Sequence, residues 1–133
     1  MTLAYACILV AALLPIVCAG IAKSGKFGQP RSQGGYDNHD PRAWLARQTG
    51  HRARANAAQA NSFEALPFFI GAVIVAHLTG GAQPLVDALA VAFIVLRVAY
   101  IVLYVADRDL LRSLVWVAGL GCCVALLFAG SLS

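Results

Sequence analysis

Four polar side chains cluster in the middle of the chain, and the spacing of three of them would place these three on one face of a helix. The four are Arg54, Gln59, Asn61 and Glu64. Positions 54 and 61 are seven residues apart and positions 61 and 64 are three apart, so an α-helix aligns these side chains in one stripe. Inside a membrane, ionisable groups usually face a bundle interior or a water-filled cavity. The stripe therefore predicts either a hydrogen-bond network that joins helices or a binding site, and spacing leaves both open.

A second stripe follows later in the chain and combines arginine with tyrosine. Its members are Arg97, Tyr100, Tyr104 and Arg108, and Arg112 follows them. The first four have the spacing i, i+3, i+7, i+11 of a single helix face. Arg97 has nine uncharged residues on each side, so it needs a counter-charge, which we expect Glu64 to supply. The tyrosines have two interpretations, the lining of a pocket or an aromatic belt at a membrane interface.

Together the two stripes predict a positively charged pocket that is embedded in a membrane and opens to the cytoplasm. Arginine holds carboxylates through paired hydrogen bonds. An arginine close to a thiol also favours the thiolate, which is the nucleophilic form. A small anionic thiol such as glutathione would suit this pocket, although spacing alone does not identify the ligand.

The composition decides where such a pocket could lie. Of the 133 residues, 60% are apolar and 12% are charged, whereas an ordinary soluble domain is about 45–50% apolar and about 25% charged. These values exclude an ordinary soluble domain and a disordered chain, and the length fits one domain. The four cysteines lie inside apolar runs without the spacing of a metal or redox motif, so we expect no metal site.

Runs without charge predict an all-α membrane protein, a bundle of four transmembrane helices in a single domain, 1–133. A spanning helix needs about 20 apolar residues, and the expected helices cover residues 2–22, 40–78, 84–106 and 110–131. Lys23 follows the first apolar run instead of preceding it, which favours a true span over a cleaved signal peptide. In the second helix we expect Asp40 to cap the N-terminus and Pro41 to take the first helical position. At about 38 residues this helix would be roughly 57 Å long, so its first turns should project into the cytoplasm.

The basic residues indicate the orientation of the chain. Seven of them lie between residues 23 and 54, and three lie between residues 97 and 112. The positive-inside rule places both zones in the cytoplasm and both termini on the other side of the membrane. The net charge of +4 is then a topology signal, and we expect no nucleic-acid partner because the charges flank membrane spans.

Two motifs resemble those of the MAPEG family (membrane-associated proteins in eicosanoid and glutathione metabolism). The first is Asn61-x-x-Glu64-x-x-Pro67, and the second is Arg97-x-x-Tyr100-x-x-x-Tyr104 followed by Arg112-Ser113. Residues 36–46 also resemble bacterial-type members. The resemblance extends over nearly the whole chain. It implies a homotrimer of four-helix subunits, with glutathione bound between neighbouring subunits near the cytoplasmic side.

The resemblance and the spacing together give a set of candidate site residues. The candidate glutathione-binding residues are Arg54, Gln59, Asn61, Glu64, Arg97, Tyr100 and Tyr104, and the candidate catalytic residues are Arg112 and Ser113. The resemblance implies that Arg112 stabilises the thiolate and that Ser113 assists. One feature departs from the pattern, because glutathione-using members carry an arginine three or four residues before the Asn, where this chain has Ala58 and Ala57. Arg54 lies one turn earlier on the same face and is the candidate substitute.

The sequence leaves two functions open. The first is a glutathione transferase or peroxidase that uses glutathione as co-substrate and acts on a lipophilic electrophile from the lipid bilayer. The second is a non-catalytic lipid-binding or scaffold protein of the same fold, suggested by the alanines at positions 57 and 60. A small multidrug-type transporter is disfavoured, because the first helix contains no acidic residue and the first loop is long and basic.

Overall fold

The computed structural model describes residues 1–132, and no strand occurs among them. The helices are α1 (Leu3–Lys23), α2 (Pro41–Ala46), α3 (Gly50–Leu78), α4 (Gln83–Val105), α5 (Asp109–Leu127) and α6 (Ala129–Leu132), with a 3-10 turn at Arg31–Gln33. Helices α1, α3, α4 and α5 are long and apolar enough to cross a membrane. The prediction of an all-helical chain with four candidate spans is therefore confirmed.

The prediction of one continuous helix over residues 40–78 is wrong, because the chain leaves the helix between α2 and α3. Asp40 does cap the start of this segment, where its carboxylate accepts a hydrogen bond from the Ala43 amide at 3.3 Å. The helix then stops, Thr49 is extended, and Gly50 has a left-handed φ of +60°. A left-handed residue does not continue a right-handed helix, and glycine adopts this conformation without a Cβ clash.

Residues 24–49, which we call the basic cap, form a small folded unit between α1 and α3. The ring of Tyr36 packs edge-on against both Phe27 and Trp44, with ring centroids 5.4 Å and 5.2 Å apart. Trp44 is only 2% exposed, and its indole Nε1 donates to the Gly34 carbonyl at 3.3 Å. This burial favours the broken path, because a straight helix projecting from the membrane would leave the indole in water.

The last expected helix, over residues 110–131, is also interrupted. Helix α5 ends at Leu127, and the short α6 that follows packs against α3. At Gly130 the backbone lies so close to Thr79 that an added Cβ would clash with it. The chain must turn after α5 for α6 to approach the end of α3 this closely.

The spanning helices pack through small side chains and one aromatic pair. Helix α1 packs against α3 and α4, and α5 packs against α4 and α3. Several alanines are buried between them, namely Ala4, Ala11, Ala72, Ala76 and Ala90. Small residues let helix backbones approach closely in a membrane. Phe69 of α3 and Phe93 of α4 stack with centroids 4.1 Å and planes 9° apart, which fixes these two helices against each other.

Two arginines of α3 donate hydrogen bonds to carbonyls at the C-terminal ends of neighbouring helices. Arg52 Nη1 donates to the Ala22 carbonyl at 3.0 Å and to the Ser24 carbonyl, at the end of α1. Arg54 Nε donates to the Val105 carbonyl at 3.1 Å, at the end of α4. The last carbonyls of a helix lack partners within the helix and carry partial negative charge. The two arginines therefore stabilise the helix ends that meet at the basic cap.

The turn between α4 and α5 has Schellman geometry around an aspartate. Asp107 has a φ of +61°, and it is the one residue other than glycine with a positive φ among residues 1–132. Its amide donates to the Tyr104 carbonyl at 3.1 Å, and the Arg108 amide donates to the Leu103 carbonyl at 2.9 Å. Gly80 takes the corresponding position at the end of α3, with a φ of +76°. This tight turn brings the first residues of α5 beside the last turn of α4.

Candidate functional site

Two adjoining cavities lie between α3, α4 and α5. The first, which we call the polar cavity, has about 440 Å³ and is lined by Asn61, Tyr100, Tyr104, Arg112, Ser113, Trp116 and Val117. The second, the apolar cavity, has about 190 Å³, and its lining includes Glu64, Phe68, Phe93, Arg97, Leu120 and Cys123. Asn61 and Trp116 line both cavities. Seven of the nine candidate site residues from the sequence therefore lie around one pair of cavities.

Four side chains of the second stripe contact one another in a row, which we call the arginine–tyrosine ladder: Arg97, Tyr100, Tyr104 and Arg112. The guanidinium carbon of Arg97 lies 4.2 Å from the centroid of the Tyr100 ring, and that of Arg112 lies 4.2 Å from the Tyr104 ring. The two rings meet edge-on with centroids 5.6 Å apart. Aromatic faces attract guanidinium groups, so the tyrosines hold both cations in place. Tyr100 is only 5% exposed, which favours a pocket lining over an interfacial belt.

The buried Arg97 has a different partner from the one expected. Arg97 is 4% exposed, and its Nη2 donates to the hydroxyl of Ser62, which is 5% exposed, at 3.2 Å. Within residues 1–132 no ion pair joins Arg97 to Glu64, so the expected pairing is wrong for the single chain. Ser62 and Glu64 are two positions apart, so their side chains leave α3 about 200° apart around the helix axis. Ser62 faces α4 and contacts Arg97 directly, whereas Glu64 is exposed at the apolar cavity that Arg97 also lines.

Asn61 presents a buried amide oxygen at the junction of the two cavities. Its Oδ1 accepts no hydrogen bond from any residue in the range 1–132. A buried polar atom without a partner costs about 1–3 kcal/mol, and most such atoms are satisfied in native proteins. A ligand that places an N–H or O–H group at this junction would satisfy the Asn61 oxygen.

Two candidate residues lie away from the cavities. Arg54 and Gln59 line neither of them. The bond from Arg54 to the Val105 carbonyl holds its guanidinium at the end of α4, away from both cavities of the single chain, and its role as substitute for an arginine at position 57 or 58 stays a prediction. Arg108 leaves the second stripe as well, because α4 ends before it and the side chain is exposed in the following turn.

The sequence reasoning missed two residues that the structure places at the site, Trp116 and Ser62. Trp116 is 41% exposed and stands where the two cavities adjoin. Its position four residues after Arg112 and three after Ser113 puts it on the same helix face, so the signal was present in the sequence. Ser62 had no such signal, because its role depends on which face of α3 meets α4.

A comparison against protein families places the chain in a family. Residues 3–132 match the model of the MAPEG family. Comparisons with curated proteins and with solved structures gave no match. The family match covers nearly the whole chain, including all four candidate spans and both motifs. The chain is therefore an integral membrane protein that belongs to the MAPEG family.

Proposed function

We propose that this protein is a glutathione-dependent transferase or peroxidase that acts on a hydrophobic electrophile from the bilayer. The observation that carries the proposal is the polar cavity, where Asn61, Tyr104 and Arg112 lie together. Family membership supports it in a coarser way, because the family includes glutathione transferases and peroxidases as well as non-catalytic members. The apolar wall of the adjoining cavity, which includes Phe68, Phe93 and Leu120, is suited to the hydrophobic electrophile.

The polar groups around the cavities match the functional groups of glutathione. Glutathione carries carboxylates, an amine, amide N–H groups and a thiol. The free oxygen of Asn61 would accept an amide N–H, and the exposed carboxylate of Glu64 would accept from the amine. Arg97 keeps further N–H groups beyond its bond to Ser62, and guanidinium groups bind carboxylates in pairs.

We assign activation of the thiol to Arg112. Its guanidinium is held against the Tyr104 ring and lines the polar cavity. A positive charge beside a thiol favours loss of the proton to solvent, and the thiolate lone pair then forms the S–C bond while the bond to the leaving group breaks. The Ser113 hydroxyl lines the same cavity and would donate a hydrogen bond to the developing negative charge. With a peroxide, the thiolate attacks oxygen, the O–O bond breaks, and the leaving alkoxide takes a proton from solvent to give an alcohol. A second glutathione then converts the sulfenic acid to disulfide and water.

We propose that the functional unit is a homotrimer. Glu64 lies at the middle of the spanning helix α3 and is exposed on the single chain. A carboxylate that faces lipid is expensive, and intramembrane acids normally face protein or water. A neighbouring subunit over Glu64 would cover it and close the glutathione site. Native mass spectrometry of particles extracted in lipid should give three times the chain mass, and a single-chain mass would contradict the proposal.

We place the basic cap in the cytoplasm and both termini on the opposite side of a bacterial inner membrane. The cap and the turn between α4 and α5 carry cations, whereas the turn between α3 and α4 carries none. A membrane-impermeant maleimide should label Ser131→Cys in intact cells and Ser32→Cys only after permeabilisation. The reverse pattern would contradict this orientation.

A matched pair of arginine variants tests the enzymatic proposal. Arg112 lines the polar cavity, whereas Arg108 stands in the same turn, is exposed and lines neither cavity. We expect glutathione to stabilise the wild-type protein in nanodiscs and to show ultraviolet thiolate absorbance. Arg112→Gln should lose the thiolate signal and at least about a hundredfold in conjugation rate, while Arg108→Gln should match wild type. Absence of both stabilisation and thiolate signal in the wild type would refute the proposal.

The alternative is a non-catalytic lipid-binding or scaffold protein of the same fold, and one observation favours it. Positions 57 and 58 are alanines, and the Arg54 side chain is hydrogen-bonded to the Val105 carbonyl at the end of α4. An arginine that glutathione-using members carry thus has no replacement beside the cavities. This alternative predicts lipid binding that persists without glutathione, and a robust conjugation rate would exclude it.

A further inference from the structure

We propose that the basic cap binds the phosphate group of an anionic lipid in a cleft between Arg31 and Arg47. This cleft has about 280 Å³, and its lining includes Arg31, Asp37, Trp44, Arg47 and Gln48. It lies within residues 24–49 and shares no residue with the polar or apolar cavity. The proposal therefore does not depend on the proposed enzymatic function.

The two arginines supply the donors that are available in the cleft. Arg31 is 62% exposed at its side chain, and its Nη1 approaches Asp37 Oδ1 at 3.5 Å, which is a long and weak pair. Asp37 Oδ1 also accepts from the His39 amide at 3.0 Å. The Arg47 guanidinium has no hydrogen-bond or ion-pair partner within residues 1–132. Because arginine binds phosphate through paired hydrogen bonds, the cleft has the chemistry of a phosphate site even with Asp37 in its lining.

The walls of the cleft are held in place by the fold of the cap. The side chain of Gln48 donates through Nε2 to the Trp44 carbonyl at 2.9 Å, and Trp44 is itself buried. Gly35 is buried opposite, and an added Cβ would clash with the Gln29 carbonyl. A preformed cleft binds its ligand without the entropy cost of ordering a loop. The break between α2 and α3 is what sets Arg47 and Gln48 beside the preceding loop.

The position of the cap brings the cleft to the level of lipid headgroups. The cap begins directly after the spanning helix α1 and ends directly before α3, and Arg52 of α3 donates a hydrogen bond to the carbonyl of its first residue, Ser24. Phe27, whose ring packs against Tyr36, is 62% exposed, and the Lys23 ammonium lies 4.6 Å from the Tyr36 ring centroid. Exposed aromatic rings among cations are typical of surfaces at a membrane interface.

The charge of the cap selects an anionic lipid over a neutral one. Residues 24–49 carry four lysine or arginine side chains and two aspartates, which gives a net charge of +2, and Lys23 directly before them adds one more positive charge. Basic segments next to a membrane are attracted to the negative headgroups of the adjacent leaflet. The cleft adds a defined place for one phosphate within this general attraction.

A set of matched substitutions separates the cleft from the general charge. The full chain is placed in nanodiscs, and thermal stabilisation is measured while phosphatidylglycerol replaces phosphatidylcholine. We expect Arg31→Gln and Arg47→Gln each to weaken phosphatidylglycerol binding at least about tenfold, because each removes a charge and also a hydrogen-bond donor from the cleft. Arg42→Gln removes the same charge from the exposed face of α2, outside the cleft, and should weaken binding by no more than about fivefold, the effect of general charge alone. Asp37→Asn removes the carboxylate and should tighten binding.

Further measurements distinguish a lipid phosphate site from non-specific charge and from a site for free phosphate. Equal losses in all three arginine variants would overturn the cleft in favour of non-specific charge. Millimolar inorganic phosphate in phosphatidylcholine nanodiscs should give no stabilisation. If it stabilises the wild type as strongly as phosphatidylglycerol does, the assignment to a lipid is overturned. Equal melting temperatures of all variants in phosphatidylcholine would show that the substitutions leave the fold intact.

Discussion

The hydrogen bond between Ser62 and Arg97 gives the sharpest test of how this bundle holds a charge inside the membrane. Arg97 is 4% exposed and donates to Ser62 Oγ at 3.2 Å. A hydrogen bond to a charged group contributes about 1.5–3 kcal/mol, whereas interhelical polar contacts in membranes average about 0.6 kcal/mol. Both partners are almost fully buried here, so we expect Ser62→Ala to lower the free energy of unfolding by about 2 kcal/mol. The loss of one small hydroxyl leaves little cavity, so the effect reports the unsatisfied guanidinium.

A double-mutant cycle isolates that bond. Arg97→Met keeps an unbranched apolar stem and removes the charge, so Ser62→Ala in the Arg97→Met background should cost at least about 1 kcal/mol less than in the wild type. Equilibrium unfolding in mixed micelles, followed by tryptophan fluorescence, measures each free energy. Ser113→Ala makes the same substitution at an exposed serine and should stay within about 0.5 kcal/mol of wild type. Additive effects of the two substitutions would refute the reasoning, because they would show that the contact contributes nothing specific.

Three further predictions concern helix ends, and the same unfolding measurement checks each of them. Arg54→Gln should lower the free energy of unfolding by about 1 kcal/mol, because it removes the hydrogen bond to the carbonyl at the end of α4. The affinity for glutathione should stay within about twofold of wild type. A tenfold loss of affinity would show that Arg54 is a glutathione-binding residue. Asp107→Gly should stabilise the protein by about 0.5–1 kcal/mol because φ is +61° there, whereas Ala106→Gly at the neighbouring right-handed position should destabilise it by a similar amount. Asp87→Asn should cost about 0.5–1 kcal/mol, because the Asp87 carboxylate accepts from an amide in the first turn of α1 at 2.9 Å and its charge interacts favourably with that helix end. An unchanged stability of Asp87→Asn would show that the charge contributes nothing there.

The arginine and tyrosine stripe of α4 could be predicted from the sequence because helical periodicity is a local property. Arg97, Tyr100 and Tyr104 share a face in any α-helix, and the structure shows them in one ladder. The fourth member was misassigned, because Asp107 ends the helix before Arg108. Arg112 joins the ladder instead, since the tight turn returns α5 along α4.

The polar stripe of α3 shows where the periodic pattern was insufficient. Spacing alone placed Arg54, Asn61 and Glu64 on one side, but each has a different environment in the bundle. Arg54 is held at the end of α4, Asn61 lies at the junction of both cavities, and Glu64 lines only the apolar cavity and is exposed. The environment of each residue depends on where neighbouring helices begin and end, which periodicity does not contain.

By itself the sequence determined the class of protein, the four candidate spans and most residues of the site. These features depend on the free energy of placing side chains in lipid and on the pitch of a helix, and both can be evaluated from short segments. The tertiary structure alone decided that Ser62 rather than Glu64 pairs with Arg97, and that the chain breaks at Gly50 to bury Trp44. Both outcomes require the rotation and position of one element relative to another, and residues far apart in the sequence set these through packing.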